Sequence, residues 1–179
     1  MNVNFFVTCI RSILKSRMAR DSVCLLEKLR AVALNFPEKQ GCCGEPPMDE
    51  WLYQRSDSRD GNFDRRTGGH DDPIISPAGS CTYAVKSYPT YLADEPEWAS
   101  RAEKVAARMK DLTSFIVNKL GVVDVRCQFA REAVYSHCVS LARKLGVKDE
   151  PLTLLLKNVV TGAVDLLNRI PAALAARSQ

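Results

Sequence analysis

The first 36 residues constrain the fold more than any other stretch of the chain. Asn2–Val7 sets Val3, Phe5 and Val7 at alternate positions, with Phe6 adding to the apolar share, which predicts a strand ending at Thr8-Cys9. Met18, Leu25, Leu26 and Leu29 follow at helical spacing and predict a helix over about Ser16–Leu29. Ala31–Phe36 reads as a second short strand, stopped by Pro37. A strand, a helix and a strand in succession predict a parallel sheet, because the intervening helix carries the chain back to the edge where it started. The expected fold class is α/β: a short, mostly parallel sheet with flanking helices and an irregular insertion.

The insertion is Met48–Asp72, rich in Asp, Arg, Ser and Gly and without a helical or strand period, so an irregular or disordered segment is expected. Order resumes with a strand at Pro73–Ser76 and a turn over Pro77–Ser80 leading to Cys81. Trp98, Ala102, Val105, Met109, Leu112, Ile116 and Leu120 then recur at steps of three and four and predict one continuous helix. Asp94 is the expected N-cap, Pro96 suits the first turn, and Gly121 is placed to stop the helix. A strand at Ala133–Tyr135, a helix over Ser140–Leu145 ended by Gly146, and a helix over Leu152–Leu167 complete the chain, ahead of an Ala-rich tail. One domain over residues 1–157 and a divergent tail over 158–179 are expected.

Composition narrows function by exclusion. Lys+Arg 25 against Asp+Glu 21 leaves +4, without the clustered basic face that nucleic-acid binding calls for. No apolar run approaches the ~18–20 residues of a membrane helix. The start lacks a basic segment ahead of a long apolar core, so an unexported, cytoplasmic protein is expected. Seven cysteines in such a chain should stay reduced, which favours metal or redox chemistry over disulfides.

Five of the cysteines share an address. Cys9 follows the first expected strand, Cys42 and Cys43 the second, Cys81 the third and Cys138 the fourth. Ligand sites in parallel α/β sheets form where the strands' carboxyl ends meet, and converging thiolates suit an iron–sulfur cluster or tetrahedral zinc. Cysteine also packs as a small hydrophobe, and Cys24 and Cys127 read as core or incidental. His70 reads as solvated and His137 as a polar loop residue. No Ser/His/Asp arrangement supports hydrolysis, and Gly68-Gly69 lacks the flanking strand and helix of a phosphate loop.

These residues resemble the cysteine-rich proteins that carry Cys-Cys-Gly motifs, among them the cysteine-rich component of heterodisulfide reductase and, more closely, lactate utilisation protein A. The matching pieces are Phe6-Val7-Thr8-Cys9, Phe36-Pro37-Glu38 leading to Cys42-Cys43-Gly44, and Ser76-Pro77-Ala78-Gly79-Ser80-Cys81. The likeness continues through Tyr91-Leu92-Ala93-Asp94-Glu95-Pro96-Glu97-Trp98 and, later, Leu141–Pro151. The resemblance implies an iron–sulfur electron-transfer subunit of a complex that oxidises L-lactate to pyruvate, with other iron–sulfur subunits as partners. It also implies Cys9, Cys42, Cys43 and Cys81 as ligands, with Cys138 a further candidate one residue out of register. Ala78 stands where the heterodisulfide reductase form has another cysteine, so a four-thiolate 4Fe–4S cluster is expected, with zinc as the alternative. The likeness fades over Met48–Asp72 and beyond Asn158, where the family has a second Cys-Cys-Gly half. A truncated copy, produced by a shifted reading frame, is therefore a further expectation, as is a zinc-binding or metal-poor assembly subunit.

Overall fold

A computed structural model describes residues 1–29, 33–37, 40–45, 71–128, 131–158 and 163–165. The expected insertion up to His70 lies outside these residues, as does the tail beyond Asn158 apart from 163–165. The chain divides into two compact units, Met1–Leu112 and Thr113–Gln179.

The first unit contains a four-stranded, wholly parallel sheet. Its strands are β1 (Asn2–Phe5), β2 (Ala33–Asn35), β3 (Ile74–Ser76) and β4 (Met109–Asp111), in the order β2-β1-β3-β4. Between them run α1 (Cys9–Ile13) and α2 (Ser16–Lys28), and then α3 (Gly79–Lys86), α4 (Tyr88–Tyr91) and α5 (Pro96–Arg108). Strands covered on both faces read as continuous apolar runs rather than alternating ones. The central pair shows this: Val3, Phe5, Ile74 and Ile75 are all fully buried. Asn4 is the polar exception in β1, and its Oδ1 accepts a hydrogen bond of 2.7 Å from Asn35 Nδ2 on the neighbouring strand. On α2, Ala19 and Leu26 are the buried residues, seven apart and so on one face, whereas Met18 stays exposed.

The expected continuous helix is two elements with a strand between them. Its apolar stripe is real, since Ala102, Val105, Met109 and Ile116 are all buried. However, α5 ends at Arg108, and Met109–Asp111 turns extended to pair with Ile74–Ser76 as the outer strand of the sheet. Periodicity cannot see this break, because Met109 points into the core in either conformation. Nor does Asp94 cap α5: Glu95 precedes it and no side chain caps the first turn, while Pro96 does open the helix. Cys81 sits in the first turn of α3 rather than beyond a loop.

In the second unit, α6 (Leu112–Ser114) runs on into a π-helical turn, Phe115–Lys119, and Gly121 then takes φ +67°, as a helix-ending glycine does. β5 (Ala133–Tyr135) pairs in parallel with β6 (Ala163–Asp165), forming a separate two-stranded sheet. A π-helical turn over Ser140–Lys144 and α7 (Asp149–Asn158) lie between them. The expected helix to Leu167 is thus corrected, since Ala163–Asp165 is a strand and the described helix is Asp149–Asn158. Asn158 Nδ2 donates to Val123 O at 3.0 Å and to Leu154 O at 2.7 Å, while Oδ1 accepts from Val125 N at 3.1 Å. It thereby fastens the helix end to a distant connection.

Candidate metal centre

The strand order places the site. From β1 the chain crosses outward to β2, then returns to the other side of β1 as β3, so the carboxyl ends of β1 and β3 flank the point where the winding reverses. Open parallel sheets bind ligands in that crevice. Cys9 opens α1 beyond β1, and Cys81 lies in the first turn of α3 beyond β3. Cys42 and Cys43 occupy the segment after β2.

The structure brings some of these thiols together and leaves others apart. Cys43 is 2% exposed and Cys81 8%, and both belong to an apolar cluster with Phe6, Val85, Tyr88 and Met109. Their side chains share a hydrogen bond. That bond, and then burial, push the Cys43 thiol well up, while the same bond holds Cys81 below the ordinary thiol range against the opposing effects of burial and of the Glu45 and Cys9 charges. Cys42 is exposed, and its Sγ accepts the backbone N–H of Gly44 at 3.4 Å. Among the described residues, no group of three or more His, Cys, Asp and Glu is arranged to hold a metal ion.

Three supports hold the Cys42-Cys43 segment. Gln40 clamps it to the end of β1, its Oε1 accepting from Val7 N at 2.8 Å and its Nε2 donating to Phe5 O at 2.6 Å. Tyr88 Oη donates to Cys43 O at 2.6 Å. Gly44 adopts φ +76° while buried, which turns the chain directly after the cysteine pair at no Cβ penalty. Neither Gln40 nor Tyr88 was legible as a site residue, because each acts on backbone atoms remote in sequence and no spacing rule reports such bonds.

The remaining cysteines are placed elsewhere. Cys138 follows β5 in the second unit and is exposed. The expectation that its strand belongs to the same sheet as the others is corrected, since β5 pairs with β6 alone. The His137 ring packs edge-on against Tyr135 at 4.7 Å. Cys24 and Cys127 are exposed rather than in the core, and none of the seven cysteines forms a disulfide.

Comparison with known proteins gives the arrangement a lineage. Residues 3–86 match the cysteine-rich domain family, a span that holds β1–β3 and Cys9, Cys42, Cys43 and Cys81. The chain is 70% identical over 159 residues to the uncharacterized protein YkgE of Escherichia coli (strain K12), which covers 89% of this chain and 66% of the relative. It is 39% identical over 155 residues to lactate utilization protein A of Anoxybacillus flavithermus and 36% identical to that of Bacillus subtilis (strain 168), each alignment covering 87% of this chain and 64% of the relative. The chain thus spans about two thirds of the length of these relatives. No solved structure matches it. The cysteine-rich segment, the Cys-Cys-Gly motif at the sheet's carboxyl edge and the identity with these relatives agree: the chain belongs to the cysteine-rich domain family, among the relatives of lactate utilization protein A.

Proposed function

We propose that this chain is an iron–sulfur protein that passes electrons in a cytoplasmic complex oxidising L-lactate to pyruvate, alongside other iron–sulfur subunits. The observation that carries the reading is the buried, hydrogen-bonded pair Cys43 and Cys81 at the winding reversal of a parallel sheet. The donor set fits the group: thiolates are the ligands iron–sulfur clusters take. Cys9, Cys42, Cys43 and Cys81 would hold it, Cys42 and Cys9 closing on the pair already in contact. When bound, the cluster supplies one-electron acceptance and donation. The chain's own residues exclude water from the two inner sulfurs, and burial together with hydrogen bonds to sulfur sets the potential. Gln40, Gly44 and Tyr88 hold the cysteine loop in position. The names of the lactate utilization relatives support the metabolic setting.

Anaerobic reconstitution with iron and sulfide, followed by metal analysis and visible absorption, tests the reading. The expected result is about four irons per chain with a broad visible band. Zinc alone would point instead to an assembly role, and a chain that retains no metal would overturn both. Cys43→Ser and Cys81→Ser should abolish iron retention and Cys42→Ser should do likewise, whereas Cys24→Ser should leave it intact. Equal loss from all four variants contradicts the ligand assignment.

A further inference from the structure

The carboxamide of Gln40 takes the place of a strand residue. β1 and β2 pair at a constant offset of 31 residues, Asn2 with Ala33, Val3 with Leu34 and Asn4 with Asn35. In such a parallel ladder, the residue opposite position i donates its N–H to the carbonyl before i and accepts the N–H after i. Ala33, opposite Asn2, follows the rule by donating to Met1 O at 2.9 Å. The same offset sets Pro37 opposite Phe6, so the next rung would run to Phe5 O and from Val7 N. Proline has no N–H to give, and Phe5 is fully buried, so its carbonyl needs another donor. Gln40 supplies it: Nε2 donates to Phe5 O at 2.6 Å and Oε1 accepts from Val7 N at 2.8 Å. These are the two bonds that residue 37 would have made.

The substitution has a consequence for the sulfurs. Val7 lies two residues before Cys9, and Gln40 lies two residues before Cys42. A single side chain therefore joins the segment that delivers Cys9 to the segment that delivers Cys42 and Cys43. A strand ladder ended by Pro37 would leave those two segments unconnected at this point. Tyr88 fastens Cys43 from another side, through α4.

We propose that, on the reading that these cysteines ligate an iron–sulfur cluster, Gln40 is the positioning residue that sets the separation of Cys9 from the Cys42-Cys43 pair. It thereby decides whether the cluster is closed by four thiolates or left open at one iron. An open corner has a recognisable chemistry. One electron passes to ferricyanide, giving ferrocyanide, and one ferrous ion leaves, so that a dicationic four-iron core becomes a monocationic three-iron core with its sulfides retained.

The test uses the full chain, reconstituted anaerobically with iron and sulfide. Gln40→Met keeps the side-chain length and removes both bonds, whereas Gln40→Glu keeps the acceptor for Val7 N and loses the donor to Phe5 O. Asn35→Ala is the comparison, because it removes a side-chain link within the same strand pair, to Asn4 Oδ1 at 2.7 Å. Conversion by ferricyanide is followed by the paramagnetic signal of the three-iron core and by metal analysis. It should run about tenfold faster in Gln40→Met than in wild type, as the loss of two hydrogen bonds warrants, and at an intermediate rate in Gln40→Glu. Asn35→Ala should lower the urea midpoint and leave the conversion rate unchanged. In the metal-free chain, Gln40→Met should speed hydrogen exchange at Val7 and spare Phe6, whose N–H donates to Ile75 O at 2.8 Å. Wild-type conversion in folded Gln40→Met, or equal acceleration in Asn35→Ala, would reduce Gln40 to a support of the fold and overturn the proposal while the cluster reading stands. A wild-type chain that takes up no iron overturns both. If Gln40→Met does not fold, Gln40→Glu against Asn35→Ala decides.

Discussion

At the scale of single side chains, the site is ordered by bonds that end on backbone atoms. Tyr88 Oη reaches Cys43 O at 2.6 Å from a position 4% exposed, so Tyr88→Phe leaves a buried carbonyl without its donor. Such a loss costs about 1–3 kcal/mol, against about 1 kcal/mol for a hydrogen bond replaced by water. A lowered midpoint in urea and a faster release of reconstituted iron are the expected outcomes. Unchanged iron release would mean that Tyr88 supports the fold without positioning Cys43. Cys43 and Cys81 were legible as candidates because cysteine is chemically conspicuous and both follow strands. Their difference from Cys42 was not: two adjacent cysteines look alike in the chain, and only the folded structure buries Cys43 and leaves Cys42 exposed.

At the scale of elements, the contrast between two methionines tests how the sheet is assembled. Met18 and Met109 both fall on apolar stripes at helical spacing, yet Met109 is fully buried in β4 and Met18 is 45% exposed on α2. Met109→Ala should cost about 2–5 kcal/mol, because it removes apolar contacts and leaves a cavity. Met18→Ala should stay within about 0.5 kcal/mol. Denaturant titration of both variants measures the difference; equal effects would contradict the placement of β4 in the core. The opening strand–helix–strand was legible because β1, α2 and β2 are local patterns bounded by local signals. The conversion of Met109–Asp111 to strand was not, because its hydrogen-bonding partners in β3, Ile74–Ser76, lie far back along the chain. Tertiary pairing of that kind overrides helical propensity.

At the scale of the whole molecule, all four proposed ligands lie in the unit Met1–Leu112, and Cys138 lies in the other. A chain ending at Leu112 contains the complete parallel sheet, so after reconstitution it should keep as much iron per molecule as the full chain. Metal analysis beside far-UV circular dichroism checks this. A fragment that folds but loses iron would implicate the second unit, and Cys138 within it, in ligation. The division itself left no mark in the composition, since it falls inside the apolar stripe that reads as a single helix.

What the amino-acid order determined by itself was the parallel α/β character of the first unit and the helix starting at Pro96, both carried by short-range periodicity and by residue types with restricted conformations. What only the tertiary structure decided was which sulfurs meet, where the long stripe breaks, and that β5 pairs with β6 instead of joining the larger sheet. The reason is physical. Spacing along a chain encodes which face a residue presents, whereas pairing between strands and contact between thiols depend on which distant surfaces can be buried together, and many folds can share one local pattern.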